Sequence, residues 1–292
     1  MFAIVGAAGK VGYSTSVALR KAGMSVRAIL RDASKAARLS DIGCEIATAD
    51  LQDPDALARA IAGADAVQII LPAIPQAKDM AEDMQRSMES LVVALRQAGT
   101  KRVLAISDYG AHVTHDIGMP TMFHTFEARL GELDGYKLLL RSAEHMEGWA
   151  RVIPVAVASG ILPVFHDPVD RAFPMISAAD LGPIAAELLL RPIERRDVEL
   201  VHAEGPRRYS PTDVAATVSQ LLGRPVSASP VPRAKWRESF ERILSPSGAE
   251  LLTKLYGAHS EGGLIDIEPN AEDVRHGTTE LIDALRPLIP PR

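Results

Sequence analysis

Three glycines stand three residues apart in Gly6-Ala7-Ala8-Gly9-Lys10-Val11-Gly12, directly after the apolar run Ala3-Ile4-Val5. A strand that ends on such a turn and passes into a helix leaves backbone N–H groups pointing outward, where an anion can sit. Gly6 allows the tight turn, Gly9 lets a pyrophosphate approach the backbone, and Gly12 lets helix and strand pack closely. Spacing alone is weak, because 21 glycines in 292 residues produce it by chance about one time in ten. Its place after the first strand of an alternating pattern makes it a dinucleotide site. Gly6, Ala8, Gly9, Lys10, Val11 and Gly12 are the residues expected at the phosphates.

The end of the next apolar run, Val26–Leu30, selects the cofactor. An NAD site places Asp or Glu there, to accept hydrogen bonds from the ribose hydroxyls. Here Arg31 and Asp32 follow Leu30, with Lys35 one helical turn on. A guanidinium can stack on adenine and pair with a 2′-phosphate, so NADP(H) is expected and NAD(H) is the second choice. The competing reading is a solvated basic surface. Asp50 and Leu51, after the third run, are placed to flank the adenine; Leu71 and Pro72, after the fourth, lie where the nicotinamide half should pass.

After the fifth run, Arg102–Ile106, come Ser107, Asp108, Tyr109, His112, His115 and Asp116, then His124 on the following helix. The carboxyl ends of parallel strands line the ligand crevice, so Ser107, Tyr109 and His124 are the candidate catalytic groups. Histidine can donate a proton near neutral pH and a phenol can donate a hydrogen bond. His112, Phe123, Met146, Trp149 and Phe165 are candidates for the substrate wall, their alternative being plain core. His112-x-x-His115 with Asp116 or His124 has the residue types of a metal site. Its loop setting argues against that, and no metal is expected.

Positioning these groups takes short strands alternating with helices: runs at 2–5, 26–30, 45–48, 66–71, 102–106 and 137–140, helical spacing at 10–22, 34–40, 53–62, 76–98 and 121–133. Continuous apolar strands separated by helices mean a parallel sheet covered on both faces. Met80, Met84, Met88, Leu91 and Leu95 recur at helical spacing and should pack on that sheet. Beyond about residue 150 Pro and Gly become frequent. Ser177 with Asp180, and Ser210-Pro211-Thr212-Asp213, signal helix starts. The stretch from Lys235 to Leu288 reads as mostly helical. The expected architecture is a Rossmann-like doubly wound α/β domain, residues 1–150, with a smaller, mostly helical substrate-binding part, 151–292, packed on it.

Composition narrows the classes. With 32 Lys+Arg against 37 Asp+Glu the net charge is −5, which argues against direct nucleic-acid binding. One cysteine, Cys44, excludes an internal disulfide framework and suits a reducing compartment. The longest apolar stretch, Val152 to Phe165, is broken by Pro154 and Pro163 and is too short for a bilayer span. Met1–Ala8 lacks the basic flank of a signal peptide, so a cytoplasmic location is expected.

The chain resembles the NmrA-like branch of the atypical short-chain dehydrogenase/reductases. The matching segments are GAAGKVG (6–12), VRAILRD (26–32), ADLQD (49–53), IILP (69–72) and VLAISDYG (103–110). HTFE (124–127), LLLRSAEHMEG (138–148) and FPMISAADLG (173–182) continue it to near residue 285. The resemblance implies a cleft between a nucleotide domain and a substrate domain. It sets Ser107 at the superfamily's catalytic serine, and His124 with Glu127 in the H-x-x-E of quinone-reductase-like members. The superfamily's Tyr-x-x-x-Lys is absent: the residues four after Tyr13, Tyr109, Tyr136, Tyr209 and Tyr256 are Val17, Val113, Leu140, Asp213 and Ser260. Isoflavone-reductase-like members carry a lysine after the fifth strand, and none stands between Lys101 and Lys137. The expected activity is therefore hydride transfer from NADPH to a quinone-like or conjugated small molecule, whose reduced form needs no strong proton donor. The alternative is a non-catalytic NADP(H) or redox sensor acting through a protein partner. A homodimer is left open.

Overall fold

The computed structural model describes residues 1–193 and 197–290. Twelve strands follow in chain order: β1 Phe2–Val5, β2 Val26–Leu30, β3 Glu45–Thr48, β4 Ala66–Ile70, β5 Arg102–Asp108, β6 Tyr136–Ser142, β7 Glu144–His145, β8 Ile161–Val164, β9 Met175–Ile176, β10 Val198–Glu204, β11 Ser227–Pro230 and β12 Val274–His276. The helices are α1 Lys10–Lys21, α2 Ala37–Asp41, α3 Pro54–Ile61, α4 Met80–Gln97, α5 Met119–Gly131, α6 Ile153–Ser159, α7 Ala178–Leu190, α8 Pro211–Leu222, α9 Trp236–Glu241, α10 Pro246–Glu261 and α11 Leu281–Leu285.

Eight strands form one sheet in the order β12-β10-β6-β5-β4-β1-β2-β3, and every ladder in it is parallel. The strand order reverses between β1 and β4, and their carboxyl ends open the crevice where a doubly wound sheet takes its ligand. One face packs on α1 and α7 through Ile4, Leu19, Ala28, Leu104, Leu181 and Leu188. The other packs on α3, α4 and α5 through Val5, Ile29, Leu57, Val67, Leu91 and Phe126. Met80, Met84, Met88, Leu91 and Leu95 all lie in that second core.

Tertiary partners adjust several local expectations. α4 begins at Met80 rather than 76, because the Asp79 carboxylate accepts from Glu82 N–H at 3.0 Å and caps the helix there. Ser210 and Asp213 form a reciprocal capping box on α8. At α7, Ser177 Oγ accepts from Ala179 N–H at 3.2 Å, but Asp180 turns away to accept from Thr278 N–H at 2.9 Å and Thr279 N–H at 2.7 Å. Glu147 takes its place, accepting from Ala178 N–H at 3.1 Å.

The segment read as mostly helical contributes α9, α10 and α11, but also β12 on the edge of the main sheet. Residue 150 does not separate two sheets: β10, β12 and α7, all from the second half, complete the first. What remains forms a lobe with two-stranded parallel sheets, β8–β11 and β7–β9, around Met146, Trp149, Ile153, Phe173 and Val214.

Candidate active site

Gly6 has φ +74°, and a Cβ there would lie 3.2 Å from Ile70 Cγ2, so both backbone and neighbour require glycine. A Cβ on Gly12 would lie 2.6 Å from Gly6 O, which leaves only glycine where α1 meets the turn. Gly9 is the N-cap of α1. Its first turn has no side-chain cap and no acidic residue, so the helix start is available to an anion.

From this turn a cleft of about 450 Å³ runs across the carboxyl ends of β1, β2 and β4, lined by Gly6, Ala8, Gly9, Arg31, Lys35, Leu51, Ile70 and Pro72 among others. Asp32 lines it too, but its Oδ1 accepts from Ser34 N–H at 2.9 Å, capping the turn Ala33–Lys35. Hydrogen bonding from Ser34, helped by Lys35 and Arg31, holds its carboxyl below the usual range. Arg38 adds a cation that the motif reading missed. Its Nη2 reaches Ala8 O at 3.4 Å and its guanidinium covers the Tyr13 ring at 3.8 Å.

Two expected cofactor residues turn elsewhere. Asp50 accepts from Gln52 N–H at 2.9 Å, and Gln52 enters the cleft lining in its stead. Leu71 is buried in the core while Ile70 and Pro72 line the cleft, the usual alternation of a strand end. Lys10 is exposed at the start of α1, whereas Val11 and Gly12 are buried in helix packing.

At Ile70 the cleft adjoins a second cavity of about 270 Å³, with Ser107, Asp108, Phe123, Ser142, Glu144, His145, Tyr256 and His259 in its wall. Met119, Leu252, Leu255 and Ile265 supply apolar surface. Ser107 is in this wall but its hydroxyl is engaged, donating to Glu127 Oε1 at 2.5 Å. Glu127 is gripped in turn by Arg141, through Nε at 2.9 Å and Nη2 at 2.6 Å, and Arg141 also pairs with Glu268. This network is nearly closed to solvent. Burial, then the nearby Glu144 charge, pushes the Asp108 carboxyl up to about 8. Burial likewise pushes Tyr256 up to about 12 and holds His259 down at about 3.

The other expected catalytic groups lie off this wall. Tyr109 is fully buried on the α1–α7 side of the sheet, its ring 5.7 Å from His202 and its hydroxyl without a partner. Alternation would set residues 107 and 109 on one face, but β5 ends at Asp108 and the turn that follows carries Tyr109 into the opposite core, away from this cavity. His124 Nδ1 lies 2.8 Å from Ala111 O and pins the loop after β5. His112 Nδ1 lies 3.3 Å from Glu268 without a hydrogen bond, and Asp116 pairs with Lys254 at 2.7 Å.

Of the expected substrate wall, Phe123 alone joins Ser107. Trp149 and Phe165 line a third cavity of about 300 Å³, which shares Glu144, Arg151, Leu252 and Tyr256 with the second. Met146 is wholly buried in the lobe core. Sequence reasoning had no route to Tyr256 and His259, which arrive on α10 more than a hundred residues after β6. Glu144 and His145 were within reach, since they stand in the segment 138–148 that carries the resemblance.

Residues 6–142 match the model of a family described as NAD(P)H-binding. The chain is 24% identical over 258 residues to the NAD(P)H azoreductase of Xenophilus azovorans, covering 88% of this chain and 86% of that one. It is also 24% identical over 294 aligned positions to quinone oxidoreductase 2 of Escherichia coli, covering 99% and 98%. The crystal structure of the Escherichia coli NADPH-dependent quinone oxidoreductase complexed with NADPH has the same fold, with a TM-score of 0.80 at 23% identity over 99% of both chains. Among the described residues no helix is long and apolar enough to cross a membrane. The family match thus runs from the glycine turn to the end of β6, and the solved structure shares the fold of the whole chain.

Proposed function

We propose that the protein is an NADPH-dependent reductase of flat, electron-poor acceptors, with quinones as the model substrate. One observation carries the reading: the nucleotide cleft adjoins, at Ile70, a cavity with apolar walls and Phe123 at its side. A dinucleotide laid along the cleft, with its pyrophosphate at Gly9, directs its nicotinamide toward that cavity. Similarity to an azoreductase and a quinone oxidoreductase across nearly the whole chain supports the same class of chemistry.

The preference for NADPH follows from the rim. Arg31, Lys35 and Arg38 stand beside the cleft or its phosphate turn, while Asp32 is tied to Ser34. A doubly charged 2′-phosphate gains charge-assisted hydrogen bonds here.

The reaction balances simply. Hydride leaves nicotinamide C4 for the quinone, giving NADP⁺ and a hydroquinone anion, which takes its proton from solvent. That anion is a weak base compared with an alkoxide, so the absence of Tyr-x-x-x-Lys is tolerated. Ser107, Tyr109 and His124 are not required as donors in this scheme. The test is loss of NADPH absorbance with benzoquinones and naphthoquinones, and no loss with simple ketones. Tight NADPH binding without oxidation by any quinone or azo dye would instead support the sensor reading.

A further inference from the structure

Glu144, His166 and His259 meet at the wall between the second and third cavities: Glu144 lines both, His259 the second, His166 the third. They come from three separate segments, β7, the loop after β8, and α10. One ligand atom from each lies within 4.8 Å of the other two. Nε2 of His166 is 3.3 Å from Glu144 Oε2, and Nε2 of His259 is 3.7 Å from the same oxygen.

At 3.3 Å a histidine aimed at a carboxylate would hydrogen-bond to it. Here the approach is off line: Glu144 Oε2 and both nitrogens of His166 are buried with no well-aligned hydrogen bond, and His259 at 3.7 Å stands beyond one. His166 has only 7% of its side chain exposed, and unpaired buried polar atoms are costly. Atoms this close, with their hydrogen-bonding capacity unspent, are near enough to share one cation.

The rings are held for that purpose. Phe173 stacks on His166 with centroids 4.2 Å apart and planes 13° from parallel, Trp149 lies near it, and Tyr256 meets its edge. This clamp leaves the His166 ring little freedom except to present its nitrogens.

We propose that Glu144, His166 and His259 form a binding site for a divalent transition-metal ion of the zinc type, with an open coordination position toward the inner cavities. Two imidazoles and one carboxylate are a donor set of open zinc sites, with water or a substrate oxygen as further ligand. Metal–ligand bonds of about 2.0–2.1 Å in tetrahedral geometry place donors about 3.3–3.4 Å apart. Separations of 3.3 and 3.7 Å to Glu144, and of no more than 4.8 Å between the histidine nitrogens, close to this by side-chain rotation. Ca²⁺ and Mg²⁺ prefer oxygen ligands and are not expected here. Arg151 lines the same two cavities and adds positive charge, which tempers affinity. The site lies away from His112 and His115, whose spacing first suggested a metal.

The test uses the full chain, stripped with a chelator and titrated with Co²⁺. One ion per chain should bind, with the visible absorption of four- or five-coordinate cobalt, and Zn²⁺ should displace it. His166→Gln and His259→Gln should each weaken Co²⁺ binding by roughly tenfold to a hundredfold or more, and Glu144→Gln should do the same. NADPH affinity, measured in the same samples, reports that the fold survives and should change less than about twofold. His115→Gln, in the exposed loop, should keep Co²⁺ binding unchanged. No stoichiometric uptake by NADPH-competent protein would overturn the proposal, as would uptake that persists in His259→Gln and Glu144→Gln or disappears in His115→Gln. Should His166→Gln fail to bind NADPH, the other two variants decide.

Discussion

The nucleotide cleft and the inner cavities share Ile70 and little else in construction. The cleft is made largely from backbone at the ends of β1, β2 and β4, and its charges, Arg31, Lys35 and Arg38, stand in solvent. The inner cavities are walled by side chains from β5, β6, the lobe and α10, with ionisable groups shut inside the protein. A dinucleotide's phosphates need N–H groups and mobile cations, both of which a surface crevice supplies. A small acceptor needs a shaped, water-poor space, and only elements from distant parts of the chain can enclose one. Substitutions at the cleft should therefore hurt binding, and those among the buried ionisable groups should hurt the fold.

The sharpest contrast is in stability. Arg141→Ala removes the cation that grips Glu127 and leaves a buried carboxylate uncompensated, which should destabilise the protein by about 3–5 kcal/mol. The denaturant midpoint should fall clearly, whereas Arg31→Ala in the exposed rim should leave it almost unmoved. Equal effects would erase the distinction between the regions.

On the cleft side, Gly9→Val should place a branched side chain where the pyrophosphate approaches. A Cβ there already lies 3.3 Å from Gly6 O, so the fold has little room to adapt. NADPH affinity should fall roughly a hundredfold or more, about 2.7 kcal/mol, with the circular dichroism spectrum unchanged. A folded variant that keeps its affinity would show that the nucleotide lies elsewhere.

Cofactor choice is a smaller effect. Arg31→Ala should weaken NADPH by about 1.5–3 kcal/mol and NADH much less, through loss of a charge-assisted bond to the 2′-phosphate. Calorimetry with both nucleotides checks this. Equal weakening would assign Arg31 to stacking on adenine alone.

The smallest effect is expected at Tyr109. Its hydroxyl is buried and unpaired on the face of the sheet away from the cavity that Ser107 lines. Tyr109→Phe should leave quinone turnover unchanged and stability equal or up to about 1 kcal/mol higher. A marked loss of turnover would bring the phenol into the chemistry.

Much of the cleft was legible in the order of residues because its parts are consecutive. Gly6 to Gly12 form turn and helix start together, and Arg31 follows β2 directly, so strand ends alone bring them to one edge. Legibility failed first within that same stretch. Asp50 and Leu71 sit at the right strand ends, but one caps its own loop and the other faces the core. Strand position is a matter of sequence, whereas side-chain facing depends on register and local hydrogen bonds. The loop after β5 failed more widely, since His124, His112 and Tyr109 each found a partner or a core that their spacing does not announce.

Alternating apolar runs and helical spacing, with a glycine turn after the first run, determined the parallel doubly wound sheet and the position of the glycine turn beside its switch point. Those features follow from local geometry, which operates over a few residues at a time. Tertiary structure decided the rest: that β10 and β12 complete the sheet, that Ser107 spends its hydroxyl on Glu127, and that Tyr256 and His259 join Glu144 and Asp108 in the wall of one cavity. Burial and long-range proximity govern those groups, and neither is a property of any short stretch of chain.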